Sequence, residues 1–267
     1  MGELVFVGLG LHDEKGLSLR GIEEIGGADT VFAEFYTSLM AGLSLEKLEG
    51  LAGKEISVVS RQTLEEEEGK TILERAEKGR VALLVPGDPL IATTHVDLRI
   101  RAERRGIKTR VVHGASIVSA VVGLSGLQNY KYGRSVTIPF SEETVTYETP
   151  YEVIMKNKEM GLHTLCFLDV KAEEGRCMTI QEGLQLLLTV EKRRRRGVVT
   201  PETLVVGVAR AGSKEPVVKA GYLKEVEAHE FGPPPHTLVF PGSLHFMEAE
   251  ALITLADAPQ RIREMVR

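Results

Sequence analysis

An alternation of short apolar runs with helix-patterned stretches constrains this chain more than any other feature. Residues 3–8 form an apolar run that closes on glycine. Residues 30–35 and 55–60 read as extended, and residues 81–85, Val-Ala-Leu-Leu-Val, are the most strand-like stretch of the first half. Residues 108–113 complete this set. Helix patterns separate them: 18–27, with Ser18 as N-cap and Ile22 and Ile25 on one face; 45–51, closed by Gly53; the Glu- and Lys-rich 64–78; 94–105, stopped by Gly106; and 116–124. Strands joined through helices predict a mainly parallel sheet with helices on its faces.

Residues 125–134 break the pattern and read as a linker, with Gly126 and Gly133 among polar residues. A second set follows, with strands expected at 136–140, 164–169, 203–209, 217–220 and 237–240 and helices at 151–160, 179–194 and 246–255. No internal repeat stands out. The expectation is an α/β protein of two α/β domains: 1–130 with a mainly parallel sheet, and 131–267 with a mixed one.

A length of 267 residues suits one large domain or two smaller ones. With 43% hydrophobic and 27% charged residues, collagen-like, low-complexity and largely disordered chains are excluded. The net charge of −5 argues against broad nucleic-acid binding. No apolar run approaches a membrane span, and the early run at Leu4 reads as a first strand rather than a signal peptide. Cys166 and Cys177 cannot make a disulfide framework, so a reducing cytoplasm is the expected compartment. The dense basic run Arg193–Arg194–Arg195–Arg196 has two readings, a solvated helix C-terminus or a contact to an acidic or phosphate-rich partner.

Chemistry is expected in the loops that follow strands. Gly8-Leu9-Gly10-Leu11 lets a ligand approach bare backbone, but the third glycine of a dinucleotide fingerprint is replaced by Asp13, which disfavours a nicotinamide dehydrogenase. Pro86-Gly87-Asp88-Pro89-Leu90 holds one carboxylate at the end of a central strand. Asp88 either faces a ligand or caps the next helix. His113-Gly114-Ala115-Ser116-Ile117 offers backbone N–H groups where a helix begins.

Together these loops resemble the tetrapyrrole-methylase-like class of S-adenosylmethionine-dependent methyltransferases. The stretches 33–40 (Ala-Glu-Phe-Tyr-Thr-Ser-Leu-Met), 86–95, 161–165, 168–172, 209–213 and 234–236 narrow the resemblance to the archaeal diphthine synthase family. It runs from Gly8 to Pro259 and is weakest in the middle of the linker and over 141–150. The resemblance implies two α/β domains with the donor in the cleft between them, and a homodimer. It implies S-adenosylmethionine as methyl donor, S-adenosylhomocysteine as product, and elongation factor 2 as protein substrate. The acceptor it implies is the amino group of a 3-amino-3-carboxypropyl chain on a histidine of that factor, with three N-methylations expected to give diphthine in diphthamide biosynthesis. Carried over residue by residue, the donor site comprises Leu11, Asp88, Ile91, Ser116, Ile117, Leu168, Ala209 and His236. Leu11, Ile91, Ile117 and Leu168 are expected to sandwich adenine or shield the sulfonium. Asp88 is expected to accept hydrogen bonds from the donor, and backbone near Ala209 and His236 to meet the adenine edge.

Methyl transfer from a sulfonium needs alignment and exclusion of water rather than a covalent nucleophile. Loss of the acceptor's proton can go to water or to a base. His95, His113 and His163 lie near loops, where a structural role competes with a catalytic one. No His or Cys pair has zinc-ligand spacing. Residues 34–38 are expected either on the acceptor side or in domain packing, with Phe35 and Tyr36 as core aromatics in the plainer reading. Residues 242–246 are offered for self-association. Two other functions stay open: a tetrapyrrole C-methyltransferase of the corrin or siroheme pathway, and a non-catalytic nucleotide-binding module.

Overall fold

The computed structural model describes residues 2–141 and 147–266; of the stretch 141–150, residues 142–146 therefore lie outside the described residues. The chain divides into two compact units. One runs to Ile117 and adds Val170–Gly175; the other takes Val118–Asp169 and the described residues from Arg176 onward.

The first unit contains β1 (Glu3–Gly8), α1 (Leu19–Gly26), β2 (Thr30–Ala33), α2 (Leu45–Ala52), β3 (Ser57–Val58), α3 (Lys70–Lys78), β4 (Arg80–Val85), α4 (His95–Arg104) and β5 (Lys108–Val112). Its sheet has the order β3-β2-β4-β1-β5, and every pairing is parallel. Alternate residues of β1 enter different cores. Val5 and Val7 pack with Ile25 of α1 and Leu48 of α2, whereas Leu4 and Phe6 pack with Leu73 of α3 and Leu98 of α4. A strand buried on both faces has no place for a polar residue, which is why these runs are apolar throughout. Serines set the helix starts, Ser18 accepting from the Gly21 N–H at 3.0 Å and Ser44 from the Lys47 N–H at 3.3 Å.

The helix expected over 64–78 is broken. Gln62–Glu66 forms a single wide turn, Gly69 has φ +63°, and α3 begins only at Lys70. A Cβ at Gly69 would stand 2.5 Å from Leu98 Cδ1, so a side chain at this turn would press on α4. The strand expected at 55–60 shrinks to the two-residue edge strand β3.

The two ends of this sheet differ. At the N-terminal end of the strands Arg80 and Arg110 both pair with the buried Glu24, and Arg80 Nε lies 3.0 Å from Glu3. The C-terminal end carries the glycine loops.

The second unit contains α5 (Ile117–Ser125, its first residue shared with the first unit), β6 (Val136–Ile138), α6 (Thr149–Glu159) and β7 (Thr164–Leu168). The short strand β8 (Val170–Lys171) belongs to the first unit; β9 (Arg176–Cys177) returns to the second, followed by α7 (Ile180–Arg194), β10 (Leu204–Ala209), β11 (Val217–Tyr222), α8 (Leu223–Glu227), β12 (His236–Phe240) and α9 (Phe246–Leu255). The order is β11-β10-β12-β7-β6, antiparallel except for β6 against β7. α6, α7 and α8 supply Ile154, Leu184, Leu187 and Val226 to a core that also holds Cys166, Leu168 and Leu238. The strands β8 and β9 and the helix α8 escape the sequence pattern because each is too short to show a period.

The stretch read as a linker is fastened down. Leu127 is fully buried, the Gln128 N–H donates to Glu248 at 2.9 Å, and Lys131 Nζ pairs with the same carboxylate. The arginine run is partly consumed within the unit, with Arg193 and Arg194 on Glu148 at 2.8 and 2.7 Å. No helix among the described residues is long and apolar enough to cross a membrane.

Candidate functional site

In the first unit three loops meet at the C-terminal ends of the adjacent strands β4, β1 and β5. They touch backbone to backbone. A Cβ on Gly8 would lie 2.6 Å from both Gly114 N and Gly87 O, and one on Gly114 would lie 2.3 Å from Gly87 O. Gly10 and Gly87 exchange hydrogen bonds, Gly10 N–H to Gly87 O at 3.2 Å and Gly87 N–H to Gly10 O at 2.8 Å. Only glycine permits this approach. Gly87 is different on its outer side: at φ +70° its added Cβ would meet nothing nearer than Ala115 O at 3.9 Å. The three loops thus form a tight floor with one bare, open stretch of backbone.

Asp88 follows that stretch and is 6% exposed. It caps no helix, since the N-cap of α4 is Thr94 and carries no side-chain cap. One carboxylate oxygen accepts the Leu90 N–H at 3.2 Å, and the other lies 2.7 Å from His113 Nδ1. His113 leaves 77% of its side chain exposed. Ile91 is exposed on the same rim, Leu11 and Ile117 are half-buried, and Ser116 is buried. Leu11, Asp88, Ile91 and Ser116 on the loops, and Ile117 at the start of α5, therefore all sit at one end of one sheet.

Deeper on this rim, Glu34 stands at the end of β2 and is fully buried. It accepts the Tyr36 and Thr37 N–H groups at 3.0 and 3.1 Å and the Thr37 hydroxyl at 2.6 Å. His95 Nε2 lies 3.0 Å from it. This carboxylate clips the loop after β2 to the first residue of α4. Phe35 and Tyr36 pack on the two different cores. Burial, reinforced by Glu34, pushes the Tyr36 hydroxyl well above its usual range.

In the second unit Leu168 ends β7, Ala209 ends β10, and His236 begins β12 opposite Ala209 in the register. Phe167, the neighbour of Leu168, pairs with Thr237. The three residues thus share one edge of this sheet. The His236 ring is spent on its own unit: Nδ1 accepts the Ile180 N–H at 3.3 Å, and Nε2 donates to Gly232 O at 3.1 Å. Burial holds it below the usual histidine range. Only its backbone remains for a ligand. Arg210, at φ +51°, donates to Phe231 O and Pro233 O at 2.6 and 2.7 Å and fixes the loop before β12.

His163 is closed in the same way. Its Nε2 donates to Glu248 at 2.8 Å and its Nδ1 accepts the Gly242 N–H at 3.0 Å, so residues 242–248 are tied to β7. Burial keeps this ring neutral by lowering its pKa more than Glu248 raises it.

Sequence reasoning did not foresee that Asp88 and His113 pair, nor that Glu34 is a buried clip. A histidine or glutamate that closes an otherwise apolar strand run was the available sign. Among the described residues no group of three His, Cys, Asp or Glu side chains could hold a metal ion.

Comparison with known proteins agrees with these features. Residues 3–227 match the family of tetrapyrrole (corrin/porphyrin) methylases. The diphthine synthase of Methanosarcina mazei is 50% identical, covering 98% of this chain and 99% of its own length. That of Methanocella arvoryzae is 51% identical over 95% of this chain and 98% of its own. A crystal structure of diphthine synthase superposes with a TM-score of 0.90 at 42% identity, over 99% of this chain and 100% of that one. With a parallel glycine-floored sheet in one unit, a mixed sheet in the other and these likenesses over nearly its whole length, the chain belongs to the tetrapyrrole methylase family and, within it, to the diphthine synthases.

Proposed function

We propose that this chain transfers methyl groups from S-adenosylmethionine to the amino group of a 3-amino-3-carboxypropyl chain on a histidine of translation elongation factor 2. Three transfers give diphthine, in diphthamide biosynthesis. The observation that carries this reading is 50% identity to a diphthine synthase over 98% of the chain. The glycine floor supports it locally.

The residues present fit a cationic, nucleoside-bearing donor. The bare backbone at Gly87 leaves space that any side chain would fill. Asp88 places a buried negative charge beside it, and Ile91 and Leu11 offer apolar surface on the same rim. The donor site proposed is Leu11, Asp88, Ile91, Ser116 and Ile117 of the first unit with Leu168, Ala209 and His236 of the second. When bound, S-adenosylmethionine supplies an already activated methyl group. The chain's own residues have to fix the line of attack and keep water away. The glycine contacts fix the three loops against one another, and the Glu34 clip fixes the loop after β2 to the start of α4, which serves alignment.

The two α/β domains are proposed as 1–130 and 131–267, and the protein as a cytoplasmic homodimer that contacts neither membrane nor nucleic acid. The test is incubation with elongation factor 2 bearing the aminocarboxypropyl-histidine, followed by peptide mass spectrometry. The expected product carries three added methyl groups. Methylation of a tetrapyrrole, with the factor left untouched, overturns the reading.

A further inference from the structure

The first unit contains His12, His95 and His113, and they differ in what is left for chemistry. His95 is buried against Glu34. His12 is half-buried with its ring against Gly42. His113 alone is exposed, on the rim of the glycine floor, with its orientation set by a buried partner. Its Nδ1 points at Asp88, and its Nε2 has no partner among the described residues.

We infer that His113 is the base that takes the proton from the acceptor amine, with Asp88 selecting the tautomer that leaves Nε2 free to accept it. The inference rests on the proposed transfer to an amine. A carboxylate on Nδ1 keeps that nitrogen protonated in the neutral ring, and it offsets the positive charge when Nε2 gains a proton. The second Asp88 oxygen is held by the Leu90 N–H, so the carboxylate cannot turn away from the ring. An aliphatic ammonium near neutral pH has no lone pair to offer and must lose a proton before it attacks.

The step balances as follows. One ammonium proton passes to His113 Nε2, and the freed lone pair forms the bond to the methyl carbon. The carbon–sulfur bond breaks with its electron pair kept by sulfur, leaving the neutral thioether of S-adenosylhomocysteine. The imidazolium then releases its proton to water. Each of the three transfers releases one proton, and the final trimethylammonium has none left to lose.

The experiment compares wild type, His113→Asn and His113→Ala on elongation factor 2 bearing the aminocarboxypropyl-histidine. Calorimetry with S-adenosylhomocysteine and thermal unfolding are run on each protein. Asparagine keeps an N–H toward Asp88 but supplies no base. Both variants are expected to lose roughly 10²-fold or more in turnover. In His113→Asn, S-adenosylhomocysteine affinity and melting temperature should stay at their wild-type values, and added imidazole should restore part of the His113→Ala activity. Wild-type turnover in His113→Asn overturns the inference, because the ring then serves only as a partner for Asp88. Loss of activity in His113→Asn that tracks lost S-adenosylhomocysteine affinity overturns it too. A wild-type protein inert on the factor overturns the functional reading itself, and the inference with it.

Discussion

Two carboxylate–histidine pairs in this molecule look alike in two dimensions and differ in three. In the second unit Glu248 and His163 are both wholly buried, and every polar atom of the pair is engaged: Glu248 by Gln128, His245, Lys131 and His163, and His163 by Glu248 and Gly242. In the first unit Asp88 is buried, but its histidine is 77% exposed and engaged on one side only. The closed pair spends its hydrogen bonds on holding β7, α9 and the segment before β6 together. The open pair keeps one nitrogen in reserve. Completeness of hydrogen bonding, rather than the presence of an acid and a histidine, separates a structural pair from one able to move a proton.

The sharpest way to break this contrast is Glu248→Ala. It strips Lys131 and His163 of their acceptor in a buried place, and a loss of about 3–5 kcal/mol is expected in urea unfolding. His113→Asn should leave that curve where wild type has it. A Glu248→Ala protein as stable as wild type would mean that the closed pair does not hold its unit together.

A smaller effect is expected on the floor beneath the open pair. Gly87→Ala meets no atom closer than 3.9 Å, so its folding cost is only that of a left-handed alanine at φ +70°, about 1–2 kcal/mol. Its methyl group points into the space assigned to the donor, so S-adenosylhomocysteine affinity should fall by more than stability does. Calorimetry alongside thermal unfolding tests this. Unchanged affinity would place the donor elsewhere.

The smallest effect, and the finest distinction, comes from pH. Burial holds the His163 pKa below its ordinary value of 6.5, so the unfolded chain takes up that proton first as pH falls. Stability from this residue is complete above 6.5 and is lost as pH drops below it. Glu248 adds to the loss further down. Burial alone raises it, but its N–H donors, Lys131 and His163 outweigh that and bring it from 4.5 to about 2, so its contribution disappears across that range. His163→Gln keeps a donor for Glu248 and cannot titrate, so it should flatten the stability slope between about pH 7 and pH 5. An identical slope in variant and wild type would show that His163 is not buried neutral.

Much of the fold was legible before any coordinates. The runs at 3–8 and 81–85 became β1 and β4 nearly residue for residue, because a strand buried on both faces leaves an uninterrupted apolar signature. The break at Gly69 was not legible. Residues 64–78 have acceptable helical composition, and the sequence pattern does not show that Gly69 takes φ +63° and that α3 begins only after it. Residues 125–134 carry the glycines of a linker, yet the side chains that pin them come from Glu248, far along the chain.

Local pattern by itself determined the kind and order of most strands and helices, the approximate bounds of the longer ones, and the glycine loops that end the strands. These depend on neighbours within a few positions, through φ/ψ limits, capping and burial period. Tertiary structure alone decided the partners. Asp88 and His113 are 25 residues apart, Glu34 and His95 are 61 apart, and His163 and Glu248 are 85 apart. Sequence separation carries no distance. Only the strand order β4-β1-β5 brings the ends of β4 and β5 to either side of the same glycine loop, and so lets a buried acid meet an exposed histidine.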